Sequence, residues 1–95
     1  MAILGNDSAW GIDRQIQLGL YGRSVATELL QTRYEQVVQG LGGYGEFVER
    51  AEDLEPALHR AFASAKPALL NVAIQQAISP RAEAAIGRRK AAIAK

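Results

Sequence analysis

The chain of 95 residues lacks cysteine altogether and contains a single histidine. The absence of cysteine excludes a disulfide scaffold, a cysteine-ligated zinc site and a cysteine nucleophile. One histidine also excludes a multi-histidine metal centre. No apolar run reaches the roughly 18 residues that a membrane span requires, and the first residues lack the basic and apolar segments of a signal peptide. We therefore expect a cytoplasmic protein that makes no membrane contact.

An excess of charge of one sign is lacking as well. Eleven basic and ten acidic side chains give a net charge of +1 at pH 7, which argues against electrostatic wrapping of nucleic acid as a function. The charge is unevenly placed, however. Residues 81–95 carry five bases and one acid, a net +4, and residues 1–80 carry six bases and nine acids, a net −3. This shift predicts a main part over residues 1–78 and a C-terminal helical tail or lid over residues 79–95.

The N-terminal third predicts one strand and one short helix. The apolar run of residues 2–5 is followed by the turn-forming series Gly5-Asn6-Asp7-Ser8, so we expect a buried strand that ends at Gly5 or Asn6. Glycines interrupt the periodicity of residues 8–31, for which we expect a short helix near residues 10–18 and then an irregular loop.

The rest of the chain alternates helices and strands. Thr32 and Glu35 have capping-box spacing and predict a helix start. The apolar face of this helix is expected to consist of Tyr34, Val37, Val38 and Leu41. We expect a strand over residues 44–49, a helix over 53–65, a strand buried on both faces over 68–74 and a basic helix that starts at Ser79-Pro80.

This order of elements predicts an α/β fold with a partial doubly wound parallel sheet. The sheet has three strands and flanking helices, and the C-terminal basic helix follows. The N-terminal strand is expected to lie at an open edge, which would pair with a strand from elsewhere.

The turn after the first strand is the best candidate for a binding site, since ligands of open α/β sheets bind at the carboxyl ends of the strands. It offers the amide oxygen of Asn6, the carboxylate of Asp7 and the carbonyl of Ser8. Oxygens of these kinds bind Mg²⁺ together with a phosphate, and the N-terminus of the next helix favours a phosphate. From the residues alone, an ordinary turn or helix cap explains the same pattern.

Five segments spread along the chain help to choose between a metal site and an ordinary turn. In chain order they are Ile3-Leu4-Gly5-Asn6-Asp7-Ser8-Ala9-Trp10-Gly11, Thr32-Arg33-Tyr34, Gly40-Leu41-Gly42-Gly43-Tyr44-Gly45, Asp53-Leu54-Glu55-Pro56-Ala57-Leu58 and Lys66-Pro67-Ala68-Leu69-Leu70-Asn71-Val72. Over residues 2–78 this order resembles the C-terminal part of thiamine-diphosphate (ThDP) enzymes of the acetolactate synthase type. The Gly-Asn-Asp-x-x-Trp turn is most similar to the branch that contains 2-hydroxyacyl-CoA lyases and acetolactate-synthase-like proteins.

The resemblance implies both cofactors and ligands. It implies that the Asn6 side chain and the Ser8 carbonyl hold Mg²⁺, and through it the diphosphate of ThDP. The implied cofactor-binding residues are Asn6, Asp7, Ser8, Ala9 and Trp10. An alignment anchored on Trp10 would instead make Asp7 the metal ligand, so both assignments stay open.

Parts of the family pattern are missing from this chain. It contains no Gly-Asp-Gly, which opens the cofactor motif in the family, and the resemblance places the catalytic glutamate in an absent N-terminal domain. We therefore expect a small subunit or fragment, inactive alone, whose partner is a larger polypeptide with these groups in a homo- or hetero-oligomer. The implied reaction splits a 2-hydroxyacyl-CoA into an aldehyde or ketone and formyl-CoA. The alternatives are an acetolactate synthase-like or benzaldehyde-lyase-like carboligase, or a non-catalytic interaction or nucleic-acid-binding module.

The basic tail offers a candidate substrate contact. Arg88, Arg89 and Lys90 could meet the phosphates of an acyl-CoA. Three consecutive helical residues spread over most of a turn, however, so they cannot all face one ligand. The alternative is a solvated helix end, where cations interact favourably with the helix dipole.

Overall fold

A computed structural model describes residues 1–94 and divides them into two compact units. The first unit comprises residues 1–7 and 31–74 and contains the sheet. The second comprises residues 8–30 and the residues from Gln75 onward, and it is helical. Lys95, the last base of the predicted basic tail, lies outside the described residues. The predicted functional boundary after residue 78 stays a prediction.

The first unit is built on a parallel sheet of three strands. They are β1 (Ala2–Asn6), β2 (Tyr44–Val48) and β3 (Ala68–Ala73), in the order β1-β3-β2. β3 is central, in register with Ala2 to Asn6 on one side and Tyr44 to Val48 on the other. The predicted α/β fold with a three-stranded parallel sheet is confirmed, and β1 lies at an edge as expected.

Both faces of β3 are covered. Leu70 and Asn71 are adjacent in the strand and both are 0% exposed, although neighbouring side chains of a strand point to opposite faces. Helix α3 (Leu54–Ala63), which follows a 3₁₀ turn at Ala51–Asp53, packs on the Leu70 face. Helix α2 (Tyr34–Gly40) lies on the Asn71 face. A sheet covered in this way explains why the sequence of β3 is apolar almost throughout.

The apolar core lies between the sheet and α3. Its buried members are Val48, Ala57, Ala61, Ala68 and Leu70, with Tyr44, Leu54, Leu58 and Val72 packed around them. The alanines of α3 let the helix approach the sheet closely. On the other face, a Cβ added to Gly45 would lie 2.0 Å from the Glu35 main-chain oxygen. The backbone of α2 therefore rests directly on β2 at this glycine.

The second unit contains two longer helices. Helix α1 (Gly11–Tyr21) extends beyond the predicted residues 10–18 and ends at Gly22, which has a left-handed conformation. Helix α4 (Pro80–Ile93) starts as predicted, because the Ser79 hydroxyl accepts the Ala82 N–H at 3.1 Å. No helix formed by residues 1–94 is long and apolar enough to cross a membrane.

The sequence-based prediction for β1 is wrong in one respect. We expected this strand to be buried, but Ala2 and Gly5 are exposed and the Ile3 side chain is 56% exposed. The reason is that β1 is an edge strand and has β3 as its partner on one side.

The predictions for α2 also need correction. The helix begins at Tyr34 after Arg33, and no side-chain hydrogen bond caps it. Glu35 does not complete a capping box because its carboxylate binds Asn71 and Arg33 instead. The predicted apolar face is only partly covered as well, because Val37 is 56% and Leu41 84% exposed whereas Tyr34 and Val38 are half-buried. The residue of α2 that is buried against the sheet is Glu35.

Candidate metal and diphosphate site

Asn6, the predicted metal ligand, is the last residue of β1. Its main-chain carbonyl accepts the Ile74 N–H at 3.0 Å, which continues the pairing of β1 with the chain after β3. Its side-chain Nδ2 donates to Oδ1 of Asn71 at 3.0 Å. The Asn6 amide is therefore held at the carboxyl end of the sheet by its neighbour in the central strand.

Asn71 links Asn6 to helix α2. Its Nδ2 donates to Oε2 of Glu35 at 2.7 Å and to the main-chain oxygen of Thr32 at 3.2 Å. Glu35 also accepts from Arg33, whose guanidinium lies 4.4 Å from the centre of the Phe47 ring. We call the three hydrogen-bonded side chains Asn6, Asn71 and Glu35 the Asn6–Glu35 network.

The sequence analysis missed this network. Asn71 lies inside an otherwise apolar run and Glu35 has capping-box spacing, so neither was assigned to a site. The signal that could have revealed them is the amide at the centre of a strand buried on both faces. A buried amide needs hydrogen-bonding partners, and an acidic side chain on the covering helix is one such partner.

The network keeps the Glu35 carboxyl ionised. Burial acts to raise the pKa of Glu35, but the hydrogen bond from Asn71, that from its own backbone N–H and the nearby Arg33 outweigh burial. The net pKa lies below the ordinary value of 4.5. At neutral pH Glu35 is therefore a carboxylate, which accepts hydrogen bonds and donates none.

The next predicted residues lie where the chain passes into the second unit. Asp7 follows β1 and is half-buried. Ser8 has a left-handed backbone (φ 57°), and its carbonyl accepts the Leu29 N–H at 2.8 Å. A carbonyl oxygen has two lone pairs, so this hydrogen bond is compatible with a second interaction at the same atom.

Ala9 and Trp10 are held by main-chain bonds to the loop that follows α1. Ala9 forms an isolated bridge with Glu28, and the Trp10 N–H donates to the Thr27 oxygen at 2.8 Å. The Trp10 side chain is 60% exposed and lines an open cleft of about 400 Å³ with Asp13. Asp13 lies in the first turn of α1, where its charge competes with a phosphate for the helix dipole.

The predicted substrate residues on α4 are all exposed. Arg89 and Lys90 line a shallow cavity of about 200 Å³ together with apolar residues of α1 and the end of α4. Arg88 is not among the described residues that line it. Two of the three predicted substrate residues, Arg89 and Lys90, thus line the same cavity.

The donors present fit Mg²⁺ bound together with a diphosphate. Among residues 1–94, no three histidine, cysteine, aspartate or glutamate side chains cluster in a way that could hold a metal ion by themselves. What the turn offers instead is the amide oxygen of Asn6 and the main-chain carbonyl oxygen of Ser8, both hard donors. Mg²⁺ takes such oxygens and usually completes its shell with phosphate and water.

The fold and the turn define a class of protein, the open α/β domains that bind a ligand at the carboxyl edge of a parallel sheet. Comparison with known families then identifies the family. Residues 1–72 match the thiamine pyrophosphate enzymes over their C-terminal TPP-binding domain. The chain belongs to this family, which confirms the resemblance seen in the sequence.

Individual relatives agree with this assignment. The chain is 48% identical over 73 residues to a probable acetolactate synthase of Mycobacterium bovis and to an acetolactate synthase large subunit of Mycobacterium tuberculosis. It is 32% identical over 80 residues to 2-hydroxyacyl-CoA lyase 2 of Caenorhabditis elegans. These matches cover 76% and 78% of this chain but 13% and 12% of the relatives. The chain therefore corresponds to a small part of their length.

Proposed function

We propose that the chain supplies the carboxyl-terminal part of the diphosphate-binding domain in a ThDP- and Mg²⁺-dependent enzyme that forms or breaks carbon–carbon bonds. The observation that carries the proposal is the family match over residues 1–72, a range that includes β1 and the turn that begins at Asn6. By itself the chain is inactive, because it lacks the Gly-Asp-Gly segment and the catalytic glutamate that the resemblance assigns to other parts of the enzyme.

The proposed role of the turn is binding and orientation. The Asn6 amide oxygen and the Ser8 carbonyl hold Mg²⁺, and Asp7, Ala9 and Trp10 line the diphosphate site. When bound, ThDP supplies the electron sink for carbanion chemistry at a substrate carbonyl. An amide and a main-chain carbonyl do not transfer protons at neutral pH, so the chain's own residues fix the cation and leave acid–base steps to other parts of the enzyme. The hydrogen bond from Asn6 to Asn71 supports Asn6 over Asp7 as the ligand.

An acetolactate synthase-like reaction is the first candidate, supported by the 48% identity to the mycobacterial proteins. It would decarboxylate one 2-oxo acid and join the remaining fragment to a second. A 2-hydroxyacyl-CoA lyase-like reaction is the second candidate. The 32% identity to the lyase supports it, as does the position of Arg89 and Lys90 beside an apolar cavity.

The proposed partner is a larger polypeptide, in a homo- or hetero-oligomer, that carries the missing motif and covers the first strand. β1 is an edge strand, and Met1 and Ile3 are 52% and 56% exposed. An uncovered apolar edge of this kind is suited to pairing with a further strand.

The test of the metal role uses the assembled enzyme purified from its source. Native mass spectrometry should find this 10.2 kDa chain with a larger polypeptide, or as part of one, and with Mg²⁺ and ThDP retained. Asn6→Ala should weaken Mg²⁺-dependent ThDP binding by about tenfold or more. Asn6→Asp keeps an oxygen ligand and should bind Mg²⁺ more tightly than Asn6→Ala, although its second oxygen then faces the Asn71 oxygen. A folded Asn6→Ala variant with unchanged affinity for Mg²⁺ would reject the assignment.

The two reactions can be distinguished on the same preparation. Pyruvate and a 2-hydroxyacyl-CoA are supplied separately, and the products are measured. If the lyase reaction is correct, Arg89→Ala with Lys90→Ala should raise the KM for the acyl-CoA about tenfold. Arg81→Ala, on the first turn of α4, is the control for loss of a positive charge elsewhere on the same helix. Turnover of pyruvate alone, with no effect of the double substitution, supports the synthase reaction.

A further inference from the structure

In the Asn6–Glu35 network, the acceptors at the Glu35 end determine which atom donates in each hydrogen bond. The Glu35 carboxylate and the Thr32 main-chain oxygen can only accept. They lie 2.7 and 3.2 Å from the same end of the Asn71 amide, and that end must therefore be the nitrogen. The opposite end, the Asn71 oxygen, then faces Asn6.

The same reasoning fixes the amide of Asn6. The Asn71 oxygen accepts and cannot donate, so the Asn6 atom 3.0 Å away must be Nδ2. Turning the Asn6 amide over would bring two oxygens to this distance inside a largely buried site, which is costly. Asn6 therefore has one amide orientation, with Nδ2 toward Asn71 and Oδ1 on the side away from it.

We propose that Asn71 and Glu35 are positioning residues for the cation, because they fix the Asn6 amide so that its oxygen, and not its nitrogen, is presented to Mg²⁺. The inference rests on the proposed function in one respect, that Asn6 is a metal ligand. It adds that the affinity for Mg²⁺ depends on two side chains that do not touch the metal. Partners that orient a ligand in this way commonly affect metal affinity.

Packing alone does not account for Asn71. The side chain is 0% exposed at the centre of an apolar strand, where a leucine, which has the same branching at Cγ, would avoid the desolvation of an amide. The Asn71 amide donates to Glu35 on α2 and accepts from Asn6 at the end of β1, so it fixes the order of donors and acceptors between these two elements. Glu35, 3% exposed, lies on the helix face that covers the strand and ends the series with a group that only accepts.

The experiment measures the affinity of the assembled enzyme for Mn²⁺, a paramagnetic substitute for Mg²⁺, with ThDP present and no substrate. Asn71→Leu removes the acceptor for Asn6 and should weaken Mn²⁺ binding by about 10- to 100-fold. Asn71→Asp keeps an oxygen opposite Asn6, since the introduced carboxyl and Glu35 can share one proton. Its Mn²⁺ affinity should stay within about threefold of the parent, although the protein is less stable.

An Asn6→Asp background distinguishes positioning from a general structural role. A carboxylate presents an oxygen in either orientation, and Asn71→Leu removes the Asn71 oxygen that would face it. In this background Asn71→Leu should therefore lower Mn²⁺ affinity by no more than about threefold. An equal loss in both backgrounds would overturn the proposal. Glu46→Gln is the matched control, because it weakens a polar cluster with Arg60 and Tyr44 on the opposite face and should leave Mn²⁺ affinity unchanged.

The outcomes separate this inference from the proposed function. If Asn6→Ala leaves Mn²⁺ affinity unchanged, Asn6 is not a metal ligand, and both proposals are wrong. Weakened binding in Asn6→Ala with normal binding in Asn71→Leu overturns the positioning role alone. If Asn71→Leu does not fold, the milder Glu35→Gln replaces it. An amide at position 35 can still accept from Asn71 but can also donate, so the Asn71 amide is less strictly oriented and binding should weaken by about threefold or more. Normal affinity would overturn the positioning role of Glu35.

Discussion

The two units of the chain differ in how much of their side-chain surface is covered. The first contains an apolar core of five buried residues and the buried side chains of Glu35 and Asn71. In the described part of the second, the buried side chains are Thr27 and Ile86, and the Thr27 hydroxyl has no hydrogen-bond partner. Both units leave large apolar side chains exposed, so the difference lies in the buried residues. The exposed ones are Met1, Ile3, Val37, Leu41, Phe62 and Ile74 in the first unit and Trp10, Ile12, Tyr21, Val25, Leu29, Leu30 and Ile93 in the second.

This difference separates two sources of stability. Around β3, burial of apolar area and a satisfied polar network act together. In the second unit, main-chain bonds, the cap at Ser79 and a close approach of Gly19 to Ile86 hold the helices. Helices of this length depend on tertiary packing for most of their stability. We therefore expect the first unit to be the more stable of the two.

The largest effect is expected where α2 meets β2. Gly45→Ala would place a methyl group 2.0 Å from the Glu35 main-chain oxygen, so the helix or the strand must move. We expect a loss of at least about 3 kcal/mol in the free energy of unfolding, measured by urea denaturation.

Gly87→Ala in α4 is the matched control from the second unit. A Cβ at this position meets nothing within 4 Å, and alanine favours a helix over glycine by roughly 1 kcal/mol. This variant should be unchanged or more stable. If both substitutions lowered stability equally, the contrast in packing between the units would be wrong.

A smaller effect is expected from the carboxyl groups of the first unit. The pKa of Glu35 is lowered against the effect of burial, and hydrogen bonds from Arg60 lower the pKa of Glu46. A carboxyl with a lowered folded-state pKa stabilises the fold above its unfolded value, and this contribution is lost as the pH falls from 4.5 through the folded pKa. Glu35→Gln should cost about 2 kcal/mol at pH 7.

The pH dependence gives the sharper measurement. Stability is followed by urea denaturation between neutral pH and pH 3. The difference between the parent and Glu35→Gln should shrink as the pH falls below 4.5, and a smaller acid dependence should remain from Glu46. Curves that stay parallel over this range would contradict the lowered pKa of Glu35.

The sequence predicted the elements well because their signals are local. The continuous apolar run of residues 68–74 gave the central strand, and Ser79-Pro80 gave the start of α4. The turn at Asn6 was found by its position after an apolar run and by its resemblance to a family. Each of these depends on neighbouring residues, which a single sequence displays directly.

The errors concern contacts between distant residues. Glu35 has the spacing of a capping box, yet the structure joins it to Asn71, 36 positions away. A carboxylate prefers the strong bonds of a buried amide and a guanidinium to the exposed N–H groups of a helix end. The exposure of β1 was missed for a related reason, because hydrophobicity predicts burial but not which partner supplies it.

The smallest effect is expected at the cap of α4. Ser79→Ala removes the acceptor for the Ala82 N–H and should reduce the stability of this helix by about 1 kcal/mol. Amide hydrogen exchange can measure the loss of stability separately for each helix and strand. We expect faster exchange in the first turns of α4 and unchanged protection in β3, because the core around β3 contains no residue of this helix.

Ser79→Asp distinguishes the cap from a loss of the side chain. Aspartate at the same position can accept the Ala82 N–H and also interacts favourably with the helix N-terminus, so exchange in α4 should return to the parent rate or below it. The comparison of the stabilities of the two units depends on which elements exchange faster in Ser79→Ala. Since the second unit buries little apolar surface, we expect its helices to open at a lower free energy than the elements around β3. If Ser79→Ala accelerated exchange in β3 as much as in α4, the units would unfold together, and their unequal packing would not translate into unequal stability.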